Sequence, residues 1–276
     1  MNSLIDPTAI IDPQARIDPS VRIGAYSIIE GPVNLGPNCA IASQVKLIGP
    51  LDMGAGNKVH SFAVLGDAPQ DLKYRDQPSR VLIGENNIFR EHVTVHRGTG
   101  GDTIIGSNGF FMVGSHVGHN CRVGDGVTMV NGAVIGGHVQ VFDRAIIGGL
   151  CAVHQFCRVG RLAMISNNSA HNVDIPPFCI AMDINMITQL NAVGLRRSGI
   201  SRENINALRQ MFKILFRDNR GLSLNKNITL LPTELRAVPE VREFAEFVAN
   251  SKRGIARFKP WSERQSRQMD PVASDE

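Results

Sequence analysis

At 276 residues and 30.0 kDa, with 43% hydrophobic residues and a net charge of +4, the chain can bury a sizeable core as one large domain or two smaller ones. No apolar run approaches the roughly 20 residues that cross a bilayer, and the opening MNSLIDPTAI lacks the basic-then-apolar pattern of a signal peptide, so a cytoplasmic protein is expected. Cys39, Cys121, Cys151, Cys157 and Cys179 form no CxxC pair, which points to reduced, buried thiols and away from a zinc ribbon.

From Ile5 every sixth residue is aliphatic: Ile5, Ile11, Ile17, Ile23, Ile29, Leu35, Ile41, Leu47, Met53, Val59, Leu65. The phase resumes at Ile83, Phe89 and Val95, and a second register runs Ile105, Phe111, Val117, Val123, Met129, Ile135, Val141, Ile147, Val153, Val159, Ile165. No α-helix has a period of six, and a β-meander would alternate with turns every 8 to 12 residues. A parallel β-helix fits: three hexapeptides make one triangular coil, with the aliphatic column inward and successive coils about 4.8 Å apart. Glycine often follows the aliphatic residue, as in Ile23-Gly24 and Ile135-Gly136, where a missing Cβ eases a tight corner.

Two interruptions, 66–82 with PQDLKY and 98–104 with a four-residue shift of register, are expected as loops outside the coils. The β-helix is expected over 1–184. Helical spacing follows the Pro176-Pro177 breaker, and an α-helical domain is expected over 185–258. There Ser201 should cap a helix burying Ile205, Leu208, Phe212 and Leu215, and Pro239 should open one burying Val241, Phe244, Phe247 and Val248. Residues 259–276 are polar and expected to be a frayed tail. Arg196, Arg197, Arg202, Arg209, Lys213, Arg217 and Arg220 gather positive charge suited to an anionic ligand, without the interleaved aromatics of a nucleic-acid surface.

With 18 residues per coil, Val117, Ile135 and Val153 should stack. His116, His119, His138, His154 and Gln155 then gather within about two coil spacings, near 10 Å. Clustered histidines serve three chemistries. A zinc site like that of the β-helical carbonic anhydrases needs histidines five residues apart, and none are, so no metal is expected. Nucleophilic catalysis needs a paired serine or cysteine, but Cys121 occupies the small inward position and reads as core. General-base catalysis, in which a neutral imidazole removes a substrate proton, needs no protein nucleophile.

The motifs PQDLKY (69–74), TVHRGT (94–99), SHVGHNC (115–121), GGHV (136–139), AVHQFC (152–157), DIPP (174–177) and GLRRSG-ISRE (194–203) occur in order. From about residue 5 to the helical segment the chain resembles the hexapeptide-repeat UDP-N-acetylglucosamine O-acyltransferase family. The resemblance implies a left-handed parallel β-helix working as a homotrimer, with sites between neighbours. It implies transfer of a 3-hydroxyacyl group from an acyl carrier protein thioester to the 3-OH of UDP-N-acetylglucosamine, the first step of lipid A biosynthesis. No cofactor is implied beyond the carrier's phosphopantetheine.

By matching position, the resemblance makes His119 the general base and Gly137 the oxyanion donor. It makes Asp71, Lys73, His116, His138, His154, Gln155, Asn191 and Arg197 substrate contacts, with Met164 and Asn167 at the acyl-chain ruler. Asn167 stands where glycine would leave the groove long, implying an acyl chain nearer ten carbons than fourteen. The related N-acyltransferase carries an extra domain ahead of its coils, whereas here the coils begin at residue 5.

This chain departs from the family at several points. Asn120 stands where aspartate is common, and strand alternation predicts that it faces away from the His119 ring. Segment 181–195 lacks a Gly-Asn pair, Val193 fills a polar position, and Ser198 replaces one of two basic residues. An acceptor that is a 3-amino or other nucleotide sugar of the cell envelope therefore stays open, as does a non-catalytic or metal-binding solenoid.

Overall fold

The computed structural model describes residues 4–218 and 222–260, so the expected tail from 261 onward, and Arg220, lie outside the described residues. The six-residue period folds as the expected parallel β-helix, with three sheets of nine, eight and eleven strands wrapped around one core. Parallel stacking fixes the register: Val117 lies beneath Ile135 and Ile135 beneath Val153, the 18-residue step read from the sequence. From Ile23 onward the inward columns are buried, and Phe89 stacks on Phe111 with ring centres 4.8 Å apart.

The three sides of the prism differ in what they turn outward. The histidine face, the nine-stranded sheet, carries Val64, Thr94, His116, Val134 and Ala152. The arginine face, the eight-stranded sheet, carries Arg122, Gln140 and Arg158 on successive coils. The cap face, the eleven-stranded sheet, carries Ile88, Phe110, Thr128, Ile146 and Met164.

The corner glycines answer to space rather than to dihedral angle. A Cβ on Gly24 would lie 2.6 Å from the Ser43 nitrogen and one on Gly136 2.9 Å from the Gln155 nitrogen, so the next coil could not close down. Left-handed backbone falls two residues later and mostly not on glycine: Asn120 (φ 58°), His138 (φ 60°) and Phe156 (φ 65°) hold it on three successive coils. Each such residue costs about 1–2 kcal/mol, which the stacked neighbours above and below sustain.

Both interruptions leave the coils as loops. Val64–Asp67 and Val81–Ile83 bracket the first, and Thr94–His96 and Thr103–Ile105 the second. The Arg97 guanidinium pins the base of the first loop, donating to the Gly66 carbonyl at 3.0 Å and the Tyr74 hydroxyl at 3.1 Å.

Strand pairing persists to Met186–Leu190, which turns back antiparallel on Cys179–Met182. Helices then cover Ala192–Arg197, Arg202–Lys213, Leu224–Thr229, Thr233–Ala237 and Pro239–Ala249, with a π-helical turn at Ile214–Asp218. Ser201 caps the second of these, accepting from the Asn204 N–H at 3.1 Å, and Ile205, Leu208, Phe212, Val241, Phe244 and Val248 are buried as the helical spacing required. Arg257–Phe258 returns to pair with Met186–Ile187, so the last described residues extend the cap face. Among the described residues no helix is long and apolar enough to cross a membrane.

The inward column of the histidine face ends on His171, stacked on Val153, 2% exposed and with neither ring nitrogen bonded. Burial pushes its pKa down from 6.5 to about 4, with Asp183 acting weakly in the other direction. A folded-state pKa below the unfolded one means that the neutral ring supports the fold above pH 6.5, and that this support is lost as pH falls from 6.5 toward 4. The loss is on the order of 3 kcal/mol. His171→Leu should therefore shift the acid-unfolding midpoint, followed by circular dichroism, to lower pH; an unmoved midpoint would show that His171 is not what acid titrates.

Candidate active site

The coil stacking assembles the site along the edge where the histidine and arginine faces meet. His116, His119, Gly137, His154 and Gln155 line one cleft of ≈ 420 Å³ together with Gln70 and His96. His138 presents its ring edge-on to His119 at 5.2 Å between centres, and Phe156 stacks on His138 at 4.6 Å. From the first loop Asp71 joins them. The Lys73 backbone N–H, donating to Asp71 at 2.9 Å, is the main reason that its carboxyl is held below the usual carboxylate range.

The His119 ring is oriented by its chain neighbour. Asn120 Oδ1 accepts from the Thr99 backbone N–H at 2.8 Å, and Asn120 Nδ2 donates to the Gly101 carbonyl at 3.1 Å, so the two ends of the amide are distinguished. The same Oδ1 lies 2.9 Å from His119 Nδ1. An amide oxygen only accepts, so this bond requires the proton on Nδ1, and the neutral ring that carries it there has its lone pair on Nε2.

This corrects the expectation that Asn120 faces away. Alternation holds for extended strand, but the strand here is only His116–Val117, and at Asn120 the backbone is left-handed, which swings its side chain back beside the previous residue. The second loop supplies both bonds that hold the amide, and Gly98 makes room: a Cβ there would lie 2.5 Å from Asn120 Nδ2.

Gly137 sits against the free nitrogen. A Cβ added to it would lie 2.4 Å from His119 Nε2, so only glycine leaves the ring where it is. Among the described residues its backbone N–H has no acceptor. An imidazole nitrogen and an unspent backbone donor thus lie side by side.

Burial disfavours the charged form of three flanking imidazoles, pushing His116 down to about 4 and lowering His96 and His138. His116 Nδ1 is 2.8 Å from Thr94 Oγ1. Cys121 is 0% exposed and its thiol is pushed up to about 12, mainly by burial, so it is core and no thiolate nucleophile. Among the described residues no three His, Cys, Asp or Glu side chains are grouped to hold a metal ion.

The remaining expected residues lie elsewhere on the same chain. Met164, Asn191 and Arg197 line a second cleft of ≈ 570 Å³ at the edge between the arginine and cap faces. Asn191 is 6% exposed and is spent on the fold: Oδ1 caps the first helix at the Gly194 N–H (2.9 Å), and Nδ2 donates to the Leu162 carbonyl (2.9 Å). Asn167 stands at the third edge, bonded back to the Gly149 N–H at 2.7 Å, and Lys73 is exposed on its loop.

His96 was not counted among the clustered histidines, although it lies in TVHRGT. The signal was there: allowing for the four-residue shift, a 22-residue step pairs Thr94 with His116 and Val95 with Val117, which brings His96 beside them. Phe156, exposed beside His138, carries no sequence signal of its own.

A hexapeptide-repeat β-helix with an oriented imidazole and a free glycine amide on one edge defines a hexapeptide-repeat transferase. The family described as Udp N-acetylglucosamine O-acyltransferase, Domain 2, matches residues 174–256. An acyl-[acyl-carrier-protein]–UDP-N-acetylglucosamine O-acyltransferase of Anaeromyxobacter sp. (strain Fw109-5) is 42% identical over 76% of this chain and 83% of its own length. The enzyme of that name from Syntrophobacter fumaroxidans is 41% identical over 92% of this chain and 99% of its own. The crystal structure of Francisella novicida UDP-N-acetylglucosamine acyltransferase superposes with a TM-score of 0.87 at 32% identity, covering 94% of this chain and 95% of that one. The chain belongs to the acyl-[acyl-carrier-protein]–UDP-N-acetylglucosamine O-acyltransferase family.

Proposed function

We propose that the protein transfers a 3-hydroxyacyl group from the thioester of acyl carrier protein to the 3-hydroxyl of UDP-N-acetylglucosamine, opening lipid A biosynthesis in the cytoplasm. The observation that carries the mechanism is the His119 ring, held by Asn120 at Nδ1 with Nε2 against Gly137. As the sugar oxygen attacks the thioester carbonyl, Nε2 takes its proton and the Gly137 N–H receives the developing oxyanion. Collapse breaks the carbon–sulfur bond, and the imidazolium returns the proton to the departing thiolate. Ester and free carrier thiol are the products. Asp71, Lys73, His116, His138, His154 and Gln155 hold the sugar at this edge, and the lowered pKa values of His116 and His138 suit its uncharged hydroxyls.

The working unit in this reading is a homotrimer. Its support is the contrast between faces: the cap face turns Ile88, Phe110, Ile146 and Met164 outward and the histidine face Val64 and Val134, whereas the arginine face is largely polar around the site. Packing the histidine face of one copy on the cap face of the next brings the His119 edge against the neighbour's cleft of Met164, Asn191 and Arg197. The exposed Arg197 then meets the diphosphate, a task suited to a guanidinium fork.

Purified protein given UDP-N-acetylglucosamine and a ladder of 3-hydroxyacyl carrier proteins should release carrier thiol, most rapidly with a chain nearer ten carbons than fourteen if Asn167 and Met164 end the groove. A clear preference for fourteen carbons would overturn the ruler, and absence of thiol release would overturn the activity. The 3-amino analogue of the sugar belongs in the same assay, because the Asn191 amide is already spent within the fold.

A further inference from the structure

Beside the histidine edge, on the arginine face, lies a cleft of ≈ 530 Å³ whose lining includes Arg122, His138, Phe156, Arg158, Lys252 and Arg253. Its charge is largely unspent. Arg158 is paired with Asp174 at 2.8 Å, and Asp102 is drawn off to Arg80 at 3.1 Å. Arg253 bonds the Asn172 carbonyl at 3.1 Å and His154 Nδ1 at 3.3 Å and, among the described residues, is paired with no carboxylate. Arg122 and Lys252 are exposed and, among the described residues, have no ion pair or side-chain hydrogen bond. Three cations therefore stand without counter-charge around Phe156, a residue 52% exposed with its ring stacked on His138.

We propose that this cleft is the docking surface for the acyl carrier protein, engaging an acidic helical face of that partner; the inference rests on the acyl-transfer reading above. Register places Arg122 two coils from Arg158, about 10 Å, and residues 250–253 continue the positive strip past Asp174. A helix presenting carboxylates one turn apart, about 6 Å, matches such a strip, whereas one compact anion would leave most of it unused. An exposed aromatic ringed by arginine is the composition of an interface anchor. The position serves the chemistry, since His138 lines this cleft and touches the His119 ring. A carrier seated there delivers its prosthetic arm from the polar face, which the proposed trimer leaves open.

The test is the double variant Arg122→Glu/Lys252→Glu in the full chain, with folding checked by circular dichroism. It is assayed with hydroxyacyl carrier protein, hydroxyacyl phosphopantetheine and hydroxyacyl pantetheine as donors. The expected result is an apparent KM for the carrier-bound donor raised at least ~10-fold, with weaker salt dependence than wild type and unchanged turnover of both carrier-free donors. An unchanged KM for the carrier-bound donor would overturn the proposal. So would an equal loss with hydroxyacyl phosphopantetheine but not pantetheine, which would assign the cleft to the arm's phosphate. A wild type that transfers from none of the three donors would overturn the acyl-transfer reading and this inference with it, whereas failure of docking alone leaves the wild type active.

Discussion

His119→Ala should lower kcat by about 10²–10⁴-fold, the range that a positioned general base supplies, while melting temperature and oligomeric state stay at wild-type values. The ring lies at the edge of the coil rather than in the core column, so its removal opens no internal cavity. Asn120→Ala should fall between this variant and wild type, because the imidazole is then free to rotate and to exchange tautomers while its Nε2 remains available. Its loss should appear in kcat more than in KM, since the bond acts on the base and not on the sugar. Near-normal turnover by His119→Ala in the thiol-release assay would refute the base assignment.

Asp174→Ala should be the most destabilising single change on the arginine face. The carboxylate is 1% exposed and gathers the Arg158 backbone N–H at 2.8 Å, the Arg158 guanidinium at 2.8 Å and the Ser251 hydroxyl at 2.8 Å. Its backbone also bonds across to Gly254 and Ala256. Arg158 extends the connection by donating to the Phe247 carbonyl at 2.7 Å, so one acid joins the last coil to the helical cap. Removing it strands a guanidinium whose side chain is 17% exposed, at a cost of roughly 3–5 kcal/mol. For a chain of this size the melting temperature should fall by roughly 6–20 °C. A fall of less than about 2 °C would mean that water takes over the work of the carboxylate. Asp174→Asn, which keeps two of the acceptor contacts, should lose less.

The two substitutions mark different degrees of legibility in the sequence. The His119 cluster could be located from spacing because Gly137 and Gln155 follow His119 by one and two coils, and strand register converts an 18-residue count into adjacency. His96 escaped that count because the loop ahead of Thr103 makes its own coil 22 residues long. Asp174 lay in plain view within DIPP, yet its partners Ser251 and Gly254 are 77 and 80 residues away, beyond any repeat.

The sequence by itself determined the scaffold, the inward columns, the histidine edge and the family motifs, because a period of six with an aliphatic residue at each step is satisfied only when coils stack in register. Only the tertiary structure decided which way Asn120 turns, since a left-handed residue at the coil corner breaks the alternation that a strand would impose. It also decided that Asn191 is spent as a helix cap, and that the unpaired cations converge on the face beside His138. Those outcomes depend on where loops and returning segments land in space, and the spacing of residues along the chain does not encode that.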